Sequence, residues 1–326
     1  MDSIFNYYNA IFNPIDLINK HSQYGQISPH PECVTNFLGI KIPIDVFPEI
    51  LSGIKGTVEK PPIPANWHTD IAEFGAVFRA IDYAGPTFSI VELGCAWGCW
   101  LNNAGIGAKR LGKRIKLIGI EGDKEYVYIA KKVLILNGFN FDEFIIYNAI
   151  ATDKNGYIFF PIRNDTSNFG LQPIIIDIDN LYEIDKLRKT KKYIELRSIS
   201  IAEIINENGL EKIDLLHVDI QGEEFDFISK NIQDISEKVS YIVIGTHSRQ
   251  IEGKLFALLY ENGFALEIER PAILSYNETE IIVNDKVSVS VDGVQGWRNN
   301  KILNLKQFEE LSHKQKLAFY QPINNL

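Results

Sequence analysis

In the stretch Phe88-Ser-Ile-Val-Glu-Leu-Gly-Cys-Ala-Trp-Gly98 a carboxylate lies near the end of a short apolar run, and two glycines follow, four residues apart. Residues of these types at this spacing can hold a nucleotide-like ligand. Glu92 at a strand end can take up an ammonium or a hydroxyl group. Gly94 lets the backbone turn sharply, and Gly98 lets the next helix approach the ligand closely. A second carboxylate ends the apolar run in Leu117-Ile-Gly-Ile-Glu-Gly-Asp123. There Glu121, beside Gly122, is placed to accept both hydroxyls of a ribose, while Asp123 suits the N-cap of the following helix. A bare strand-to-helix turn would use the same glycines, so the paired carboxylates carry the reading.

A dinucleotide calls for the stricter G-x-G-x-x-G fingerprint and a helix N-terminus that receives pyrophosphate. Here position 96 is Ala, the spacing is G-x-x-x-G, and Trp97 and Trp100 would crowd a diphosphate. S-Adenosylmethionine has no phosphate and needs a carboxylate or carbonyl near its ammonium, which Glu92 can help supply. The sulfonium cofactor is therefore expected.

Methyl transfer is an in-line displacement, so aligning the acceptor with the methyl group does much of the work. An alcohol acceptor must also lose a proton, either to a base or through a metal that lowers its pKa. Asp219 and His247 lie at the ends of two further apolar runs and should face the crevice above the strand ends. His247, in Gly245-Thr-His-Ser248, is the candidate general base, since neutral imidazole titrates near working pH; a histidine merely hydrogen-bonded at a strand end is the alternative. Asp219, hard to bury without a partner, would orient the acceptor, contact the cofactor or bind a divalent cation. With Gln221 and Glu223 these residues offer ligands to Mg²⁺ or another divalent ion, Asp219 and His247 being the candidate metal ligands, although spacing does not fix such a site. His217 lies inside its run and reads as a packed core histidine.

The elements that must position these groups follow a regular order. Strand-like runs at Phe88 to Leu93, Ile115 to Ile120, Phe144 to Ile150, Ile213 to Asp219 and Tyr241 to Gly245 alternate with helix-forming material, which implies a largely parallel sheet covered on both faces. Thr69 to Tyr83 carries apolar residues at helical spacing, and Tyr126 to Leu136 is apolar almost all round, as a helix buried on such a sheet should be. Phe264 to Ile268 and Glu280 to Val291 read as a hairpin at the sheet edge. Arg163 to about Lys192 reads as a long irregular insertion, and Pro61 to Pro64 as a stiff linker. Asn66-Trp-His-Thr-Asp70 is either a surface turn with an N-cap or a cover whose Trp67 and His68 line the acceptor side. Trp297 and Arg298 either bind a sugar or anionic substrate or anchor the C-terminus.

Composition bounds the rest. The chain has 326 residues, 45% hydrophobic and 23% charged, ordinary for a globular protein with a large core. A formal net charge of −9 disfavours nucleic acid as partner, and Lys186 to Lys192, one candidate for a basic patch, reads as a solvated loop. Cys33, Cys95 and Cys99 are too scattered for a disulfide framework or thiolate metal site. The start lacks a basic leader and no run is long enough to span a bilayer, so a cytoplasmic protein is expected, with a homo-oligomer left open.

From Phe88 to His247 the chain resembles the FkbM-type class I methyltransferases. Their D-x-G-A-N-x-G motif is similar to Glu92-Leu-Gly-Cys-Ala-Trp-Gly98, and their acidic strand end and L-N-G turn to Glu121 and Leu136-Asn-Gly138. Their A-x-x-D-x-x-G element resembles Ala149-Ile-Ala-Thr-Asp-Lys-Asn-Gly156, with Ala151 an alternative anchor. Their I-D-L-L-K-I-D-V-E-G-A-E element resembles Ile213-Asp-Leu-Leu-His-Val-Asp-Ile-Gln-Gly-Glu-Glu224. Ala96 stands where Asn is usual, His217 where Lys is, and Gln221 where Glu is.

The resemblance implies a Rossmann-like α/β fold: a seven-stranded methyltransferase sheet, mostly parallel with the last strand antiparallel, and an N-terminal helical extension. Residues 1–84 would form the cap segment, 85–300 the methyltransferase domain and 301–326 a tail. It implies S-adenosylmethionine-dependent O-methylation of a sugar, glycan or secondary-metabolite hydroxyl. Glu92, Gly94, Cys95, Gly98, Glu121, Gly122 and Ala149 would bind the cofactor, and Asp219 and His247 would serve the acceptor. The rivals are an NAD-dependent sugar-nucleotide enzyme, for which Tyr182 and Lys186 match a Tyr-x-x-x-Lys pair only nominally, and a non-catalytic cofactor-binding scaffold.

Overall fold

The computed structural model describes residues 3–152, 156–163, 170–275 and 288–303. Eight strands build the central sheet: β1 (Asn9–Ala10), β2 (Thr87–Leu93), β3 (Arg114–Glu121), β4 (Phe144–Asn148), β5 (Ile213–Val218), β6 (Val239–Thr246), β7 (Phe264–Arg270) and β8 (Gly293–Asn299). Their spatial order is β1-β7-β8-β6-β5-β2-β3-β4. Strands β2 to β6 run parallel, and β8 runs antiparallel to both β6 and β7. Seven strands are present in number as expected, six of them where the sequence places them, and the short β1, paired antiparallel with β7, adds an eighth.

The apolar runs explain this arrangement. Every residue of β5 and β6 is buried, as central parallel strands covered on both faces must be. One face is covered by α1 (Pro14–His21), α2 (Ile71–Tyr83), α3 (Cys99–Arg110) and α4 (Lys124–Leu136), which share a single apolar cluster with the sheet. The other face is covered by α6 (Ile201–Asn208), α7 (Glu224–Lys230), α8 (Ile232–Lys238) and α9 (Arg249–Glu261). The N-terminal extension contributes Phe12, Ile18, Val34, Phe37 and Ile40 to the first cluster, so it packs as part of the same core. Beside its helices it carries a hairpin, Cys33–Thr35 with Lys41–Pro43.

Two expectations are corrected. The partner of β7 is β8 at Gly293–Asn299, not a strand within Glu280 to Val291; Ser288–Val291 instead pairs with Ile273–Ser275, and residues 280–287 lie outside the described residues. The strand was hidden because β8, although wholly buried, holds Gln295, Arg298 and Asn299. Arg298 pairs with Glu267 at 2.6 Å, and the Asn299 amide donates to the carbonyls of Ser236 and Val239. Nor is the insertion wholly irregular. Tyr157–Pro161 pairs with both Ile174–Ile176 and Tyr193–Leu196, and α5 (Leu181–Thr190) lies between the latter two. The basic residues there lie on or just past α5, where Arg188 and Lys186 pair with Glu195 and Glu183. Among the described residues, no helix is long and apolar enough to cross a membrane.

Candidate functional site

At the carboxyl ends of β2, β3 and β5 lies a cavity of about 670 Å³. Gly94, Ala96, Glu121, Gly122, Ala149 and Asp219 line it, and its far wall comes from Phe160, Ile175 and the insertion. Glu121 is nearly buried, and its carboxylate accepts from the backbone N–H groups of Ala96 and Asp123, both at 2.8 Å. Burial lifts its pKa to about 7 against the pull of those two donors. Asp123 N-caps α4 and pairs with Arg163 at 2.7 Å.

Two positions explain the glycines. At Gly94 the backbone is left-handed, φ +74°, and a Cβ would lie 2.0 Å from the carbonyl oxygen of Asp219. Gly94 therefore lets two strand ends meet, whereas the sequence suggested only a sharp turn. At Gly122 a Cβ would lie 2.6 Å from the Phe160 ring, so the glycine admits the aromatic wall. Ala96 is itself left-handed at φ +44°, a conformation that Asn tolerates better and that costs Ala on the order of 1 kcal/mol.

Three of the sequence-derived cofactor residues stand behind this wall. Glu92 is buried, with its two oxygens accepting from Trp100 N at 3.1 Å and Leu101 N at 2.9 Å. It satisfies orphan donors at the start of α3, a stabilising role for a carboxylate. Burial raises its pKa to about 8. Cys95 is fully buried and packs toward Gly119 of β3, and Gly98, at φ +76°, is the N-cap of α3.

Asp219 and His247 are brought together. The imidazole Nδ1 lies 2.9 Å from Glu224 Oε1, and Nε2 lies 3.4 Å from Asp219 Oδ1. Burial alone would lower the His247 pKa, but the Glu224 hydrogen bond and the charges of Asp219, Glu224 and Asp292 raise it to about 9. These acidic neighbours favour the imidazolium form of His247, whereas the sequence alone suggests a neutral imidazole base. Burial raises the Asp219 pKa, with His247 and His217 opposing, while 43% of the side chain stays exposed. Asp219, Glu224 and His247 each offer a ligand atom, all within 4.8 Å of one another.

The model of the FkbM methyltransferase domain matches residues 94–266. The chain belongs to the FkbM methyltransferase family. A protein of Jannaschia sp. (strain CCS1) whose name assigns it to the methyltransferases is 43% identical over 270 residues, 82% of this chain and 93% of that one. Solved structures resemble this FkbM chain more distantly. An S-adenosylmethionine-dependent O-methyltransferase from Thermotoga maritima has a TM-score of 0.36, 10% identity, and coverage of 69% of this chain and 64% of that one. M. capricolum TrmK bound to S-adenosylhomocysteine has a TM-score of 0.35, 9% identity, and coverage of 69% and 67%.

Glu224 is the residue of this FkbM site that sequence reasoning missed. It is fully buried, and one of its oxygens also accepts from the N–H groups of Ile220 and Gly222, fixing the loop that follows Asp219. Its signal was its place in the quoted Gln221-Gly-Glu-Glu224 element. Gln221, left-handed at φ +58°, reaches back to Asp219 at 3.3 Å, and both Gln221 and Glu223 line the cavity. His217 is a core histidine, 2.8 Å from Glu73. Trp297 and Arg298 are buried anchors within the sheet. Tyr182 is exposed and Lys186 pairs with Glu183, so they form no dyad.

Proposed function

We propose that this FkbM methyltransferase uses S-adenosylmethionine to methylate a hydroxyl group on a sugar or sugar-like acceptor. The observation that carries the cofactor assignment is Glu121, a carboxylate at the end of β3 that lines the cavity, with both oxygens oriented by backbone N–H groups. Its remaining lone pairs would accept the two ribose hydroxyls. Gly94, Ala96, Gly122 and Ala149 would contact the cofactor through a wall without bulky side chains. Glu92 and Gly98 would act indirectly by holding the turn and the start of α3, and Cys95 by packing beneath it.

The residues fit this cofactor. The cavity combines the apolar side chains Ile120, Ile150, Phe160 and Phe227 with the carboxylates of Glu121 and Asp219, a lining suited to an adenosine and a cationic sulfonium. When bound, S-adenosylmethionine supplies an activated methyl group, whose bond to sulfur breaks as the acceptor oxygen attacks.

Asp219 then receives the proton of the acceptor hydroxyl. Its raised pKa makes it a better base than an ordinary carboxylate. His247, cationic, orients Asp219 and offsets its charge, and Glu224 aims His247. No step is assigned to a divalent cation. The acidic surface argues for a small-molecule acceptor over nucleic acid and is compatible with a cytoplasmic setting.

Titration calorimetry with S-adenosylmethionine and S-adenosylhomocysteine, with NAD as control, tests this reading. Micromolar binding, about −8 kcal/mol, that weakens sharply in Glu121→Ala is expected. Binding of NAD in place of both adenosyl ligands would sink it.

A further inference from the structure

At the opposite end of the sheet from the cavity, where β3 and β4 begin, no residue takes part in the proposed chemistry. The junction of α3 with β3 reads Lys109-Arg-Leu-Gly-Lys-Arg-Ile-Lys116, five cations in eight residues on a chain whose formal net charge is −9. Beside it runs Gly138-Phe-Asn-Phe-Asp-Glu143, which leads from α4 into β4. Hydrogen bonds hold the two segments side by side. Lys109 Nζ donates to the Gly138 carbonyl and pairs with Glu143 at 2.9 Å, Lys116 Nζ donates to the Asp142 carbonyl, and the Leu117 N–H donates to that of Glu143.

Two features of this end call for an explanation, and the first is charge. Arg110 donates to the Leu38 carbonyl, Lys113 to those of Ala84 and Gly85, and Lys116 to that of Asp142. A carbonyl satisfies a donor but leaves the positive charge uncancelled. Arg114 is exposed. Against the five cations the two segments set two acids, Asp142 and Glu143, and Lys109 already takes Glu143. Lys109 and Arg110 have a local use in the last turn of α3, where cations favour the helix dipole, but Lys113, Arg114 and Lys116 lie beyond that helix.

The second feature is apolar surface. Phe141 is 77% exposed, the most exposed of the large apolar side chains among the described residues, and Leu111 is 46% exposed at the C-cap of α3. Ile135, in the last turn of α4, adds a third at 47%. Single exposed apolar residues are ordinary, whereas several set among cations at one end mark an interaction surface.

We infer that this end is a docking surface for an anionic lipid bilayer, with Leu111 and Phe141 entering the interface and Lys113, Arg114 and Lys116 meeting the headgroups. Apolar tips bury their hydrocarbon while the cations around them approach lipid phosphates, and the two contributions add. A nucleic acid would take the cations and leave Leu111 and Phe141 in water, so it fits less of the surface. The acidic remainder of the chain is repelled by an anionic bilayer, which favours this one orientation. Along the eight residues of β3 the cavity lies about 23 Å away, so a docked chain presents it to water. Docking of this kind does not depend on which reaction the cavity performs.

Vesicle flotation of the full chain tests the inference, with vesicles of phosphatidylcholine alone and of equal parts phosphatidylcholine and phosphatidylglycerol. The chain should float with the anionic vesicles and not with the neutral ones. Raising sodium chloride from about 0.1 to about 0.5 M should weaken binding about tenfold or more. The double variant Arg114→Glu, Lys116→Glu should bind about tenfold or more weakly, and Leu111→Ser, Phe141→Ser about fivefold or more weakly. Melting temperatures within a few degrees of wild type show that both fold. In Phe141→Trp the added indole emission should shift to the blue on anionic vesicles, a change that wild type lacks; this reading decides the matter if a double variant fails to fold.

Equal binding to the two kinds of vesicle would overturn the inference. So would binding that neither double variant weakens, or an unshifted Phe141→Trp emission at saturating vesicle. Duplex DNA bound as tightly as the anionic vesicles, with Leu111→Ser, Phe141→Ser unimpaired toward both, would assign the surface to nucleic acid and overturn the lipid reading.

Discussion

Glu92 and Glu121 are both carboxylates at strand ends beside glycine-bearing turns, yet they have different fates. Glu92 is folded under the turn, where the start of α3 occupies both its oxygens. Glu121 faces the cavity, its oxygens oriented by Ala96 and Asp123. What separates them is the neighbouring helix. The N-terminus of α3 comes down onto Glu92, whereas α4 is capped by Asp123, which frees Glu121 for a ligand. In this chain the strand-end acid that faces the cavity is the one whose next helix finds another cap.

Breaking the turn itself should have the largest effect. Gly94→Ala forces a Cβ onto the Asp219 carbonyl in a left-handed backbone and should cost roughly 3 kcal/mol or more of stability together with cofactor binding, read by thermal melting and calorimetry. Next comes Glu121→Ala, which should weaken S-adenosylhomocysteine binding roughly 100-fold and, because the Ala96 and Asp123 N–H groups lose their acceptor, also lower the melting temperature. Glu92→Ala should cost roughly 2–3 kcal/mol of stability, measured by urea unfolding, with affinity within a few-fold of wild type. Equal losses of affinity in the two glutamate variants would erase the distinction between them.

A pH series sharpens the contrast. Glu121 titrates near 7 in the free protein, and ribose hydroxyls favour its ionised form, so binding below pH 7 must expel a proton. Affinity should therefore fall by up to about tenfold per pH unit as pH drops below 7 and level off above it, and Glu121→Gln should flatten that dependence. The smallest expected effect is that of a chelator. Ethylenediaminetetraacetate should leave cofactor binding and methyl transfer unchanged, and a large loss would return Asp219, Glu224 and His247 to the role of metal ligands.

The parallel strands were legible in sequence because burial on both faces writes them as unbroken apolar runs, as in Ile213–Val218. Strand β8 was not, since its buried polar residues are satisfied by partners far away in the chain, such as Glu267 for Arg298. Glu121 and Asp219 could be picked out as acids at strand ends. The direction Glu92 faces could not, because it depends on how α3 docks. Glu224 stood at a helix start among other acidic residues, where an exposed carboxylate is the ordinary expectation, and only its three donors give it away. The charge state of His247 needed all its carboxylate neighbours in view, and the sequence scatters them from position 219 to position 292.

The contact between Gly94 and the Asp219 peptide also governs motion. With no side chain between them, the turn that follows β2 and the loop that carries Asp219 form one rigid joint. Neither can shift by an ångström without pushing the other.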